Sequence, residues 1–331
     1  MFKRESSSPS FSVTSTCVLL CATFAAAVCL PARAADYPAR PIRWIVPFAP
    51  GSTDVQARAV AERIQPRLGQ PIIVEPKPGA STVIGTEFVA NAAPDGYTML
   101  FTSGVLSTLK VLNKDLKFDP DKALAPVSLV AQGYFVAAVN PSVPAKTFPE
   151  FVSYARANPG KVNYVSLGRN SVMLMAEMLK LQAGFDMTPI PYQGMAPGRI
   201  ALIRNDVQFM LDGIQSLKPL ASAGQVRLLM LAGPQRSQVL PDVPSAAESG
   251  VPGYVAGYIL ALLAPAGTPK EVIARMSGEV ASAAAMPELR KFFVDSGGEA
   301  VGSTPEVLGE RLKHDSQRYA EAARAAKIQP E

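Results

Sequence analysis

Two stretches carry the residues whose types and spacing can do chemistry, and that chemistry is anion binding. The first is Ile42-Arg43-Trp44-Ile45-Val46-Pro47-Phe48-Ala49-Pro50-Gly51-Ser52-Thr53-Asp54. Its β-branched and aromatic start reads as a strand buried on both faces. A Pro/Gly turn follows, and Ser52, Thr53 or Asp54 can cap a helix that begins at once. The turn therefore ends on backbone N–H groups without intrahelical partners, at the positive end of a helix dipole. A carboxylate can be held there without Lys or Arg. Strand–turn–helix is a common connection, so taken alone this turn is equally a structural one. A second copy gives it weight. Asn163-Tyr164-Val165-Ser166 reads as a strand, Leu167-Gly168-Arg169-Asn170-Ser171 as a Gly/Asn/Ser turn, and a helix from Val172 to Gln182 follows immediately.

Composition narrows the function by exclusion. Cys17, Cys21 and Cys29, the only cysteines, fall in an N-terminal segment where Lys3 and Arg4 precede an apolar run, Val18 to Leu30, too short to span a bilayer. Ala32-Arg33-Ala34 fits a small-x-small cleavage pattern, so residues 1–34 read as a signal peptide and the mature chain as exported. Without cysteine, the mature chain uses no disulfide, which suits a large, self-sufficient core. The only histidine, His314, sits in a polar, charged stretch and reads as a solvated helix residue. A Cys nucleophile and a His-rich zinc site are excluded, as is a Ser-His-Asp relay unless His314 serves. Losing Lys3, Arg4, Arg33 and Glu5 with the leader lowers the net charge from +5 to +3, and no Lys/Arg run is dense enough for nucleic acid.

The elements that must position the two turns alternate between strand and helix, and 331 residues suffice for two domains. The first helix carries Ala57, Val60, Ala61 and Ile64, and Pro66 is expected to end it near Gln65. Ile72-Ile73-Val74 is a second strand. Pro78-Gly79-Ala80-Ser81-Thr82 turns into a helix from about Val83 to Asn91, and a third strand runs from Tyr97 to Thr102. This alternation predicts right-handed βαβ units around a parallel sheet. Ligands bind such sheets at the carboxyl ends of strands, where Ser52, Ser81 and Ser103 converge. Two apolar runs, Pro126 to Val130 and Phe135 to Val139, flank Gln132-Gly133 and form the first crossing into another domain. Thr147 caps a helix to Asn158, with Glu150 at the capping-box position. Met173, Met175 and Met178 read as core packing. Pro191-Tyr192-Gln193-Gly194 leads into a helix reaching Arg204, and a strand from Val207 to Leu211 ends on Asp212. Leu228 to Leu231 is a further strand, Tyr254 to Ala264 crosses back, and helices Pro269 to Ala285, Pro287 to Asp295 and Thr304 to Ala325 close the chain. The fold class is α/β: two βαβ domains, 35–132 plus 266–331 and 133–265, joined by two crossing segments.

Several segments also carry a resemblance. They are Val46-Pro47-Phe48-Ala49-Pro50-Gly51, Lys77-Pro78-Gly79-Ala80, Ala93-Pro94-Asp95-Gly96-Tyr97-Thr98, Ala125 to Val130, Pro191-Tyr192-Gln193-Gly194, Leu240 to Pro244 and Leu263 to Pro269. In this order and spacing the chain resembles the periplasmic solute receptors of tripartite tricarboxylate transporters, the Bug/TctC type. The resemblance implies a two-lobed, periplasmic-binding-protein-like fold (class II, Venus flytrap) that closes in the periplasm on a small carboxylated solute. Carried over by position, the first turn is Phe48, Gly51, Ser52, Thr53 and Asp54. The second is Ser166, Gly168, Asn170 and Ser171, with Tyr192 and Asp212 nearby. Asp54 is expected to cap its helix rather than touch an anion; Asp212 either pairs with a solute amino group or orients the pocket.

The chain departs from the family's pattern at the cleft mouth. Gly51 runs straight into Ser52-Thr53-Asp54, Ser81-Thr82-Val83 replaces a glycine pair and Asn, and Met173 stands where a His is common. A bulkier, less polar pocket that prefers an aromatic or otherwise apolar acid is the expectation. The leading function is a monomeric, non-enzymatic receptor without cofactor or metal, whose partners are a small organic acid and membrane permease subunits. A second reading is a protein that reports its ligand state to a membrane sensor kinase. A third is an exported hydrolase using Ser, Lys and Asp, for which no S-x-x-K in a suitable context is found.

Overall fold

Runs of β-branched and aromatic residues set the strands, as their patterning predicts. The structure, a computed structural model, describes residues 37–168 and 170–330. It divides into Met1–Ala39 and Arg40–Glu331. The expected signal peptide, its cleavage site and the three cysteines lie outside the described residues. In the second unit, β1 (Ile42–Val46) buries Ile42, Trp44, Ile45 and Val46. It pairs in parallel with β2 (Ile72–Pro76) and β3 (Thr98–Ser103). Between them lie α1 (Ser52–Leu68) and α2 (Val83–Ala90). α1 continues past Pro66, beyond the expected end at Gln65. In the last turn the proline removes a single intrahelical bond, and Gly69 then closes the helix at φ 67, donating to the Gln65 carbonyl.

Gln132-Gly133 does not divide two runs. One strand, β4 (Leu124–Val139), passes straight through, because Gly133 stays in register with Tyr258 on one side and Gly298 on the other. The first part of β4 pairs antiparallel with β9 (Gly257–Pro265) and β10 (Gly298–Ala300). The rest pairs antiparallel with β7 (Phe209–Gly213) and β8 (Arg227–Leu231). β3 is antiparallel to β9, while β5 (Asn163–Ser166) is parallel to β6 (Thr188–Pro191) and β7. The strand order is β2-β1-β3-β9-β4-β7-β5-β6, with β8 and β10 also on β4. The remaining long helices are α3 (Phe148–Ala157), α4 (Ser171–Ala183), α5 (Met195–Arg204), α6 (Ile214–Ser222), α7 (Lys270–Ala284), α8 (Pro287–Asp295) and α9 (Pro305–Ala325). Among the strands and longer helices, three were not expected from the sequence. β6 contains two prolines, tolerated because it is the edge strand. α6 contains Pro219, and β10 spans only three residues.

Direction along β4 decides what faces what. β3 runs with β4, since both oppose β9, whereas β5 and β7 run against it. The carboxyl ends of β1 and β3 therefore point at those of β5 and β7 across the middle of β4. Through Leu260, Ser103 is level with Ala131, and Asp212 is level with Val136. Along the strand direction that offset is about 17 Å at ~3.4 Å per residue.

Each half of the sheet has its own core. Ile45, Leu100, Leu106, Leu129, Leu263 and Leu308 cluster in the first. In the second, Phe148, Phe151, Tyr164, Leu174 and Phe209 pack on one face, and Val136, Val165, Met210, Leu202 and Leu217 on the other. α9 joins both halves: Leu308 belongs to the first core, and Tyr319, Ala322 and Ala323 to the second.

At the crossing, Gly257 lies against the backbone of β4. A Cβ there would sit 2.9 Å from Tyr134 Cα and closer still to the Gly133 carbonyl oxygen. Gly257→Ala is therefore expected to lower stability by on the order of 1–3 kcal/mol, the usual cost of overpacking. Urea denaturation checks it, and an unchanged midpoint would show that the two crossing strands can part at little cost.

Candidate functional site

The two facing edges are also where the chain changes sides. In the second half, β5 leads into α4, whose Leu174 and Leu179 pack on the Tyr164 face. Its neighbour β7 leads into α6, whose Ile214 and Leu217 pack on the opposite face with Val165. A crevice opens between outgoing connections that diverge in this way, at the carboxyl ends of the strands. The first half repeats the arrangement. β3 leads into a 3-10 turn (Gly104–Thr108) whose Leu106 joins Ile45 and Leu100, while α1 contributes nothing to that cluster and buries Ala57, Val60 and Ile64 elsewhere.

In the first turn Pro47 is buried, Phe48 half-buried, and Gly51 and Ser52 exposed. Gly51, not Ser52, Thr53 or Asp54, is the N-cap, and no side chain caps the helix. Its carbonyl accepts from Val55 N–H at 3.0 Å, which leaves the Ser52, Thr53 and Asp54 N–H groups without helical acceptors. Asp54 does not cap, contrary to expectation. Its carboxylate is buried and accepts two bonds from the Arg58 guanidinium, one turn on, at 3.0 and 3.1 Å, while Arg58 also donates to the Val74 carbonyl at 3.0 Å. Beside this turn, Gly85 seats α2 directly on it: a Cβ there would come within 2.6 Å of the Lys77 carbonyl and 2.8 Å of the Pro47 ring. The connection that reaches Gly85 is held in the left-handed region at Ala80, Ser81 and Thr82, with φ of 44, 50 and 82. Glycine adopts that backbone freely, whereas side chains strain it. Ser81 is exposed there, and Ser103 caps the 3-10 turn, accepting from Val105 N–H at 3.4 Å.

In the second turn the polar side chains build the turn itself. The Ser166 hydroxyl is buried and exchanges bonds with the backbone of Gly168, whose φ of 77 demands glycine. Asn170 is the N-cap of α4, and its side-chain oxygen accepts from Met173 N–H at 3.1 Å. That cap leaves the Ser171 and Val172 N–H groups unbonded within the helix. Beneath, Tyr164 donates to Glu177 at 3.0 Å, tying α4 to β5, and Lys180 of the same helix donates to that carboxylate at 2.9 Å. Burial and the adjacent Glu177 push the Tyr164 hydroxyl far above its usual range. Met175 packs in the core with Met178 against it, as expected, whereas Met173 is outside that cluster. Tyr192 ties β6 to β5 through its N–H to the Ser166 carbonyl at 2.8 Å, with its ring half-buried against the Val165 side. Asp212 lies inside β7, one strand over, and accepts from Arg199 Nη1 at 2.7 Å.

Residues 56–320 match the TctC family, described as the tripartite tricarboxylate transporter family receptor. The chain belongs to that family. BugT of Bordetella pertussis is 33% identical over 304 residues, covering 90% of this chain and 93% of BugT. Among solved structures, MatC of Rhodopseudomonas palustris, with bound malate, is 30% identical at a TM-score of 0.70, covering 86% of this chain and 99% of that one. An R. palustris protein solved with adipate is 29% identical at a TM-score of 0.75, covering 89% of this chain and all of that one.

In this TctC-family receptor the partner of Asp212, Arg199, was not among the residues expected at the site. Its signal is a single charge among Met195, Ala196, Pro197, Gly198, Ile200 and Ala201. A cavity of about 430 Å³ also opens beside the middle of β4, lined by Gln132, Tyr134, Arg236, Gly298 and Glu299 among others. No described residue of either turn lines it. No group of three or more metal-binding side chains occurs among the described residues, and His314 is exposed.

Arg43 braces β1 to β2 just before the first turn, donating to both Glu75 oxygens at 2.7 Å. Those bonds hold the Glu75 carboxyl below its ordinary value of 4.5. A depressed folded value means that the stabilisation is full above the unfolded value and is lost as the pH falls through the folded one. Glu75→Gln is thus expected to be less stable than the wild type at neutral pH, by less than about 1 kcal/mol for so exposed a pair. The gap should close in acid. Urea denaturation across a pH series checks this, and a gap that persists or widens in acid would contradict it.

Proposed function

We propose that this chain is a solute receptor that holds a small carboxylated metabolite between its two opposed turns and delivers it to the membrane permease subunits of a tripartite transporter. The observation that carries the reading is the pair of helix starts, α1 and α4, each following a strand that runs toward the other along the sheet and each with N–H groups that have no helical acceptor. Each can take one side of an anion, because unpaired N–H groups and a helix dipole together favour negative charge. The malate and adipate bound by two relatives support the same class of ligand.

The two halves of the sheet act as lobes in this reading, 35–132 plus 266–331 and 133–265, hinged where β4 and β9 cross, with the end of α9 riding on the second lobe. Solute bound by both turns stabilises the closed arrangement and shifts the population toward it. Residues 1–34 are the leader that takes the chain to the periplasm, and no described helix is long and apolar enough to cross a membrane. The role is binding rather than catalysis: the hydroxyls of Ser103 and Ser166 are engaged by their own turns, and neither has a histidine to activate it.

Titration calorimetry with malate and adipate against malamide and adipamide tests this. Charge-assisted bonds are worth about twice neutral ones, so the amides should bind at least about tenfold more weakly. Ser171→Trp should abolish binding while leaving the melting temperature unchanged. Equal affinity for acid and amide would overturn the reading.

A further inference from the structure

We infer that Arg199 determines which acids the receptor accepts, by reading the end of the solute remote from the two turns. This rests on the receptor reading above. Asp212 is 6% exposed and both of its oxygens are occupied: Oδ1 accepts from Gly213 N–H at 2.7 Å, and Oδ2 from Arg199 Nη1 at 2.7 Å. A buried carboxylate whose two oxygens are each already engaged serves to fix the Arg199 guanidinium. Arg199 uses only one of its N–H donors in a described bond, and its side chain is 26% exposed.

The position of this pair makes it a binding element. Tyr164 is level with Phe209, so Ser166 lies level with Leu211, one residue before Asp212 on the adjacent strand. The backbone of Asp212, which fixes Arg199, is therefore about 5 Å, one strand spacing, from the strand that carries the second turn. Arg199 stands on the α5 side of the same crevice, where Gly198 packs against Val165. A solute whose first carboxylate is held by backbone N–H groups would place its other end against this guanidinium. A planar fork already oriented by a buried carboxylate loses little freedom on taking a second one, and can do so with two parallel bonds. The same group selects against an apolar end, which would strip water from the cation and return no hydrogen bond. Such selection opposes the preference for an apolar acid suggested by the substitutions at the cleft mouth.

Calorimetry with matched pairs tests the assignment: succinate against butanoate, and adipate against hexanoate. For the pair of fitting length, the wild type should bind the diacid at least about tenfold more tightly than the monoacid, as two charge-assisted bonds require. Arg199→Gln should bring that ratio close to unity, and Arg199→Lys, a point charge without the fork, should restore only part of it. Because Arg199→Gln strands a buried carboxylate, the double variant Arg199→Gln with Asp212→Asn is measured alongside, with thermal unfolding of each; the ratio should be lost there too. A wild-type ratio near unity, or a ratio that survives in both variants, overturns the role of Arg199 alone. Binding of none of these acids by the wild type overturns the receptor reading together with it.

Discussion

The continuity of β4 is the constraint on which the rest depends. One strand serves as a common rail for two sheet halves, with its first-half neighbours running along it and its second-half neighbours against it. Parallel strands deliver their following helices at carboxyl ends, so this reversal turns two ordinary crevices into a facing pair. Had Gln132-Gly133 bent the chain as a turn, the halves would be independent, and nothing would oblige the start of α1 to face the start of α4. β9 repeats the crossing, and Gly257 allows the two strands to run close enough to act as one support.

Given that frame, the polar groups divide their labour. Side chains that could have touched a solute are largely spent elsewhere: Ser166, Asn170 and Ser103 hold the backbone at Gly168, Met173 and Val105, and Asp54 pairs with the Arg58 side chain. What they leave uncommitted are main-chain N–H groups, whose positions are fixed to the accuracy of the helix starts themselves. Donors of this kind need little reorganisation when an anion arrives. Arg199 follows the same rule, since it is held by a carboxylate that is itself anchored to the Gly213 backbone.

Much of the fold was legible in the sequence because its strands are short, buried and punctuated. Ile42 to Val46, Asn163 to Ser166 and the helices after Gly51 and Asn170 came out where hydrophobic runs and turn residues put them. The departures have separate causes. Pro66 reads as a helix stop but sits in the last turn, where only one bond is at stake. The two runs flanking Gln132-Gly133 are one strand, because Gly133 is paired with Tyr258 and Gly298. The site was half legible. Both turns could be picked out, since a strand followed by small polar residues and a helix is a local pattern. The pairing of Arg199 with Asp212 could not, because it joins a helix to a strand thirteen positions away through a side chain that no pattern marks.

The most direct measurement of the central claim is an amide ¹H–¹⁵N titration of the mature protein with a bound acid. The N–H signals of Ser52, Thr53 and Asp54 should move together with those of Ser171 and Val172, at one common saturation point, because one solute engages both turns. Shifts confined to one turn, or concentrated instead around Gln132, Tyr134 and Glu299 beside β4, would contradict it.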